Sequence, residues 1–236
     1  MKAIMLREVQ SYYNTMIGYI FTAICLLVGG VLFTSSNIQG GSASISGVIA
    51  SMSYVLILII PLLTMRLFAE EKKNKSDQLL LTAPVSITQI VIGKFLAAVT
   101  VLLVTLVISL VFPIILVVFG DPYPPEIFLG YFGIILLGCS FISIGLFISS
   151  LTENQLTAAV ATMGILLFLW MLEGILPQIS NPTLNTIVGA LSLYRQFETF
   201  QLGVLSLSAV VYFVSITFLF LFFTVKVIER RRWGKE

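Results

Sequence analysis

The residues that could do chemistry in this chain are its few charged ones, which stand in short clusters between long apolar runs. The densest cluster is Arg66–Lys75. It places Glu70 and Glu71 three or four positions from basic residues, the spacing that forms ion pairs along one face of a helix. The chain has no histidine, so imidazole metal ligation and histidine acid–base catalysis are excluded, and no metal site is expected. The cluster therefore predicts ion pairing and docking rather than catalysis.

The composition of the chain differs from that of a soluble domain. Charged residues make up 10% and apolar residues 58% of the 236 positions, against averages of about 25% and about 45–50% in soluble domains. From Val9 to Met65 there is no charged residue at all. Cys25 and Cys139 lie inside apolar runs, where a cysteine packs as a small apolar residue. These features predict an integral membrane protein without a disulfide framework.

Six apolar runs are long enough to cross a bilayer as helices, because a hydrocarbon core of about 30 Å needs roughly 20 helical residues. Unbroken apolar runs exclude a β-barrel, whose strands alternate apolar and polar residues. The first run follows Lys2 and Arg7 as in a signal peptide, but it is longer than a signal's apolar region and is interpreted as a retained span. We predict an all-α polytopic membrane protein, one transmembrane domain over residues 1–236 with spans at about 17–34, 48–65, 95–119, 127–150, 156–172 and 204–227.

Basic residues in the short loops predict the orientation, because they favour the cytosolic side of a membrane. If both termini are cytosolic, all of the 13 Lys and Arg residues except Arg195 lie on that side. We therefore expect a multi-pass protein of the cell (inner) membrane with both termini in the cytoplasm.

The N-terminal segment has the pattern of an amphipathic helix lying in the membrane interface. Tyr12 and Tyr13 fall on its apolar side, whereas Lys2, Arg7 and Glu8 are expected to stay in water. The alternative is that the segment serves only as a positive anchor for the first span.

The first cytosolic loop predicts two further helical pieces. Arg66–Lys73 prolongs the second span as a polar helix, and Ser86 can cap the helix of the third span. Between them, a short helix parallel to the membrane is predicted. It is interpreted either as a docking surface for a soluble partner or as a rigid connection. The candidate docking residues are Glu70, Glu71, Ser76, Asp77, Gln78, Leu79, Leu80, Thr82 and Pro84.

The connection from Glu173 to Gly203 is the longest predicted outer segment. It contains helix breakers and then a helix-like pattern over Leu191–Phe200, which predicts short outer helices before the last span. This pattern is typical either of an interfacial helix with aromatic anchors or of a re-entrant lid, whose candidate residues are Glu173, Tyr194 and Arg195. In the fourth span, Gly138, Gly145 and Ser149 share one face and predict close helix packing.

Several of these segments resemble the ABC-2 type transporter permeases, most closely the short six-span group linked to gliding motility and nitrous oxide reductase maturation. The six-span layout extends the resemblance over essentially the full chain. The residues that carry it are Arg7–Glu8, Ser11–Tyr13, Ile17–Ile20, Glu70–Lys73, Leu79–Ser86 and Gly93–Lys94.

The resemblance implies a membrane subunit that works with two cytosolic ATP-binding subunits and a second permease copy, a homodimer being expected. The chain has no glycine-rich phosphate loop ending in Gly-Lys-Ser/Thr, so ATP and Mg²⁺ are expected in the partner subunit. We therefore expect a chain that is not itself an enzyme, binds no cofactor of its own and has no nucleic-acid partner. The cytosolic helix between spans two and three would be the coupling helix.

Two functions of different class follow. The first is an exporter of an amphipathic or lipid-linked substrate. The alternative is an energy transducer that acts on an extracytoplasmic partner protein without passage of a solute. A carrier driven by protons or sodium is disfavoured, because no charged residue lies in the middle of a predicted span.

Overall fold

The computed structural model describes residues 2–73, 86–175, 189 and 192–233, and all regular structure within them is helical. The α-helices are α1 (Lys2–Asn14), α2 (Ile17–Phe33), α3 (Ser46–Thr64), α4 (Arg66–Lys73), α5 (Ile87–Ser109), α6 (Val111–Phe119), α7 (Pro124–Leu151), α8 (Gln155–Ile175), α9 (Leu193–Gln201) and α10 (Leu207–Trp233). A π-helical turn, Thr34–Gln39, extends α2.

Six stretches of the described chain are long and apolar enough to cross a membrane. They are Ile17–Gln39, Ser46–Lys73, Ile87–Phe119, Pro124–Leu151, Gln155–Gly174 and Leu207–Arg231. The predicted all-α polytopic membrane fold is therefore confirmed. The helix of the third span begins at Ile87, directly after the predicted Ser86 cap, so this helical stretch starts before the predicted span of about 95–119 and includes Lys94.

Helix α7 forms the centre of the bundle. In its most apolar window 72% of the residues are buried, compared with 17% in α10. Glycines permit the close approach of its neighbours: a Cβ at Gly138 would lie 2.4 Å from Leu102 of α5, and one at Gly145 would lie 2.2 Å from Thr64 of α3. The predicted small-residue face of the fourth span is thus a packing surface for two other spans.

The third span is broken between α5 and α6 because of a proline. Pro113 has no amide proton, so the carbonyl of Ser109, four residues earlier, loses its helical donor. The hydroxyl of Tyr131 on α7 donates to that carbonyl at 2.9 Å. A side chain from the central helix thereby satisfies a backbone group that would otherwise be costly to leave unpaired in lipid.

Hydroxyl groups also link the spans away from their ends. Thr22 of α2 and Thr105 of α5 are 2.8 Å apart, and the Ser140 hydroxyl of α7 donates to the Phe213 carbonyl of α10 at 3.1 Å. Bonds of this kind between membrane helices contribute about 0.6–2 kcal/mol each. Cys25 is buried without a disulfide, in agreement with its predicted packing role.

Successive spans run in opposite directions, so the bundle has two distinct ends. We call the end formed by α1, α4, the turn Leu151–Asn154 and the last turns of α10 the basic end, and the end that carries α9 the opposite end. The sequence predicts that the basic end faces the cytosol.

Candidate functional site

The most unusual side chain at the basic end is Lys94, which is 1% exposed although it carries an ammonium group. Its Nζ lies 2.9 Å from Oε1 of Glu8 on α1 and 2.8 Å from Oε1 of Glu71 on α4. The Phe68 ring lies 5.2 Å from the same nitrogen, within the range of a cation–π contact. We call Glu8, Glu71 and Lys94 the ion cluster; it joins three elements that are distant in sequence.

The cluster explains how a charge can be buried at this position. An isolated ammonium group would be expensive to remove from water, and only close counter-charges with hydrogen bonds offset that cost. The Glu8 and Glu71 side chains are themselves only 19% and 18% exposed. Removal of any one member would therefore leave the others in an unfavourable environment.

Helix α1 is attached to the second span by two more contacts beside the cluster. The Tyr12 hydroxyl donates to the Leu63 carbonyl at 2.9 Å, and Arg66 donates to the Thr15 hydroxyl at 2.7 Å. Arg66 also holds Glu70 through two hydrogen bonds of 2.6 and 3.1 Å. Burial, followed by the nearby Glu8 carboxylate, raises the pKa of the Tyr12 phenol well above its ordinary value, so this phenol remains a donor.

These side chains surround a cleft of about 180 Å³ between α1, α4 and α5. Arg7 and Arg66 line it together with the ion cluster, so its wall carries both positive and negative groups. The cleft lies where α4 leads into residues 74–85 and where α5 receives the chain again. The arrangement can hold these three helices together and transmit a displacement of one to the others.

The opposite end is built from aromatic rings and from hydrogen bonds of a serine hydroxyl. Trp170 of α8 lies edge-on to Tyr54 of α3 and to Tyr194 of α9, with ring centroids 5.0 Å apart in both pairs. The Ser192 hydroxyl caps α9 by accepting from the Arg195 amide at 3.3 Å and donates to Glu173 at 2.9 Å. Glu173 therefore positions the start of α9, a role that its place in the sequence did not reveal.

The predicted site residues are distributed as follows. Glu8, Tyr12, Glu70 and Glu71 meet around the cleft with Arg7, whereas Tyr13 packs edge-on against Tyr19. The prediction that Glu8 stays in water was wrong, because Lys94 recruits it into the ion cluster. Tyr194 and Glu173 lie in the α9 region, and Arg195 is exposed there. Ser76, Asp77, Gln78, Leu79, Leu80, Thr82 and Pro84 lie outside the described residues.

The sequence interpretation missed Lys94 as a site residue. It treated this lysine as one more positive charge in a loop. The signal that could have identified it is its position, a single charge with apolar residues before and after it, Ile90–Gly93 and Phe95–Ala98. A lone charge inside an apolar helix usually indicates a paired, functional group.

Among the residues that the structure describes, no three His, Cys, Asp or Glu side chains could together hold a metal ion.

Comparison with known families agrees with this architecture. No individual curated protein sequence matches the chain. A family model described as ABC-2 family transporter protein matches residues 10–228, which includes five of the six spans and all but the last three residues of the sixth. The predicted resemblance is confirmed at this level: the chain belongs to the ABC-2 family and is a membrane-spanning permease subunit of an ABC transporter.

Proposed function

We propose that the chain forms the membrane path of an ABC exporter and that the ion cluster couples this path to ATP hydrolysis in a separate subunit. The observation that carries the proposal is the buried Lys94, paired with carboxylates from α1 and α4. Membership of the family implies an ATP-binding partner subunit. We further propose two copies of that subunit, a homodimer of this chain and the cytosolic orientation of the basic end.

The position of the cluster in the chain supports this role. Residues 74–85, the predicted coupling segment, leave α4 and enter α5. The Glu71–Lys94 pair joins α4 to α5 across the two ends of that segment, and Glu8 adds α1 to the same unit. A push on the segment from a closing ATP-binding subunit would therefore move α4, α5 and α1 together, because rigid linked elements transmit displacement.

The character of the spans supports an amphipathic or lipid-linked substrate. In the described spans the charged groups lie near the ends, as Lys94, Glu173 and Lys226 do. The hydroxyls of Thr22, Thr105 and Ser140 are engaged within the bundle. Such a surface offers apolar contact to a lipid-like chain and no charged pathway for an ion.

The test neutralises the ion cluster without leaving an unpaired charge. The triple variant Glu8→Gln, Glu71→Gln, Lys94→Met is expected to fold, because replacement of a whole buried ion pair is often neutral for stability. The complex with the copurified ATP-binding subunit is reconstituted, and ATP hydrolysis and ATP-dependent movement of fluorescent lipid analogues are measured. We expect hydrolysis to persist while movement of the lipid probe falls at least about tenfold, the loss of roughly 1.4 kcal/mol of coupling.

The matched control is Lys226→Met, Glu229→Gln. It removes an exposed ion pair, 2.8 Å long, from the same end of the bundle and should leave both activities unchanged. Full lipid movement in the triple variant would overturn the coupling role of the cluster. Failure of the wild-type chain to associate with any ATP-binding subunit would overturn the proposed function as a whole.

The alternative function is transduction of ATP-driven motion to a protein on the far side of the membrane. The observation that favours it is helix α9, whose apolar side is buried through Leu193, Phe197 and Phe200 while Arg195 and Glu198 face outward. A fixed helix with a polar outer face is suited to protein contact. Stimulation of ATP hydrolysis by an added outer protein, without movement of any lipid probe, would support transduction over export.

A further inference from the structure

The junction between α3 and α4 contains an interruption that a side chain from another helix fills. The chain leaves the regular α-helix at Met65. In an uninterrupted helix the Ala69 amide would donate to the Met65 carbonyl. Here the hydroxyl of Ser149, on α7, stands between them: it accepts from Ala69 at 3.2 Å and donates to Met65 at 3.0 Å.

Ser149 therefore acts as the N-cap of α4 although it lies on a different helix. It also accepts from the Phe68 amide at 3.2 Å, and its residue is completely buried. The first amides of a helix have no partners within that helix, and a serine hydroxyl commonly satisfies them. In this case the capping serine comes from the last turn of the central span.

The end of α7 receives a cap from α4 in return. The Lys72 ammonium group donates to the carbonyls of Ser150 and Thr152, the latter at 3.2 Å. Carbonyls at a helix C-terminus carry partial negative charge, so a lysine at this position is favourable. Each of the two helices thus supplies a cap for one end of the other. We call Ser149 and Lys72, with the backbone groups they bind, the reciprocal cap.

We infer that the reciprocal cap is a second transmission route, which carries movement of α4 to the turn Leu151–Asn154 and so to the fifth span. This inference rests on the proposed function, because it takes α4 to be moved by an ATP-binding subunit. The ion cluster connects α4 to α1 and α5, whereas the reciprocal cap connects it to α7 and to the turn that leads into α8. Lys72 lies two positions before residues 74–85, so both routes start beside the same segment.

Ser149 and Lys72 have different roles in the reciprocal cap. Ser149 fixes the angle between α3 and α4, because its hydroxyl occupies the gap in the hydrogen-bond ladder. Lys72 holds the turn itself, because it binds carbonyls on both sides of Leu151, the last residue of α7. Both are positioning residues.

The experiment measures backbone hydrogen exchange in the reconstituted complex, with and without ATP and vanadate. Two peptides are followed, one covering Arg66–Lys73 and one covering the turn Leu151–Asn154. In the wild-type complex, trapping with nucleotide should change exchange in both. In the double variant Ser149→Ala, Lys72→Met the change in the first peptide should persist and that in the turn should disappear. Without nucleotide, exchange should rise about tenfold at the Phe68 and Ala69 amides, which lose the Ser149 hydroxyl as their acceptor, and should also rise in the turn, where two carbonyls lose their bonds from Lys72.

Matched controls distinguish transmission from general loosening. Ser143→Ala removes a buried hydroxyl of the same helix that donates to the Ser140 carbonyl of α7 at 2.8 Å, and Lys73→Met removes the neighbouring exposed ammonium group. Both should keep the nucleotide response of the turn. Lys72→Arg retains a donor and a positive charge. In place of Lys72→Met, it should therefore restore the nucleotide response of the turn.

Each outcome decides between the inference and the proposed function. A turn that still responds to nucleotide in the double variant would overturn the inference, and so would equal loss in the controls. A wild-type complex in which α4 responds and the turn does not would overturn the inference alone. A wild-type complex in which neither peptide responds would overturn the coupling proposal and this inference with it.

Discussion

The two ends of the bundle are held together by different forces. At the basic end, charged groups connect helices: Lys94 joins two carboxylates, and Arg66 joins Glu70 to Thr15. At the opposite end, rings around Trp170 and a serine cap hold α9 in place. Strong electrostatic links between residues far apart in sequence are therefore concentrated at the end that is proposed to meet a motor subunit, whereas the other end is held mainly by packing.

The largest expected effect concerns the ion cluster. Lys94→Met alone leaves Glu8 and Glu71 close together without their cation, and the free energy of unfolding should fall by about 3–5 kcal/mol. Unfolding by a denaturing detergent measures it. Addition of Glu8→Gln and Glu71→Gln should recover most of the loss. If Lys94→Met lowered the free energy of unfolding no more than the exposed Lys226→Met does, the ion cluster would not be a strong link and the contrast between the two ends would be wrong.

Packing at the opposite end gives the next largest effect. Phe197 is completely buried under α9 and lies 6.4 Å from Trp170, measured between ring centroids. Phe197→Ala leaves a cavity and should cost about 3 kcal/mol in the same unfolding measurement. The loss should not depend on salt, because no charge is involved. Phe128→Ala, at a ring that is 75% exposed, is the control and should cost little.

A smaller effect is expected for the polar cap of α9. Ser192→Ala removes the acceptor for the Arg195 amide and the donor to Glu173. It should lower stability by about 1 kcal/mol, the usual value of an N-cap. Exchange of the α9 amides gives a local reading of the change. Ser208→Ala, which affects an exposed hydroxyl pair, should leave those amides as they are; equal exchange in both variants would show that Ser192 does not hold α9.

The smallest effect tests the joint between α1 and α2. Met16 has a φ of 61°, in the left-handed region that glycine adopts without strain, and its side chain is 68% exposed. Met16→Gly should therefore raise the free energy of unfolding by about 0.5 kcal/mol, the relief of strain being partly offset by entropy. Asn14→Gly, at a helical position, should lower it. A loss on Met16→Gly would indicate that the side chain contributes packing.

Much of the architecture could be predicted from local sequence. The six spans follow from apolar runs, the helix Arg66–Lys73 from its charge spacing and the Ser86 cap from its residue type. The small-residue face of α7 was also visible, because Gly138 and Gly145 are two turns apart. Each of these signals is contained in one short segment.

The features that escaped prediction all depend on partners far away in the chain. The two counter-charges of Lys94 come from 86 and 23 residues earlier in the chain, so its sequence neighbours do not reveal the ion cluster. Ser149 was interpreted only as a small packing residue, although its hydroxyl caps a helix 80 residues away. The periodicity of the sequence does not indicate such pairs, because these contacts form only after the helices have packed.

The distance in sequence between Glu8 and Lys94 also has a consequence for biosynthesis. A ribosome needs roughly 4–17 s to add the 86 residues that separate them, at about 5–20 residues per second. During that interval Glu8 has no Lys94 to meet, so the contact between α1 and the third span can form only after both have been synthesised.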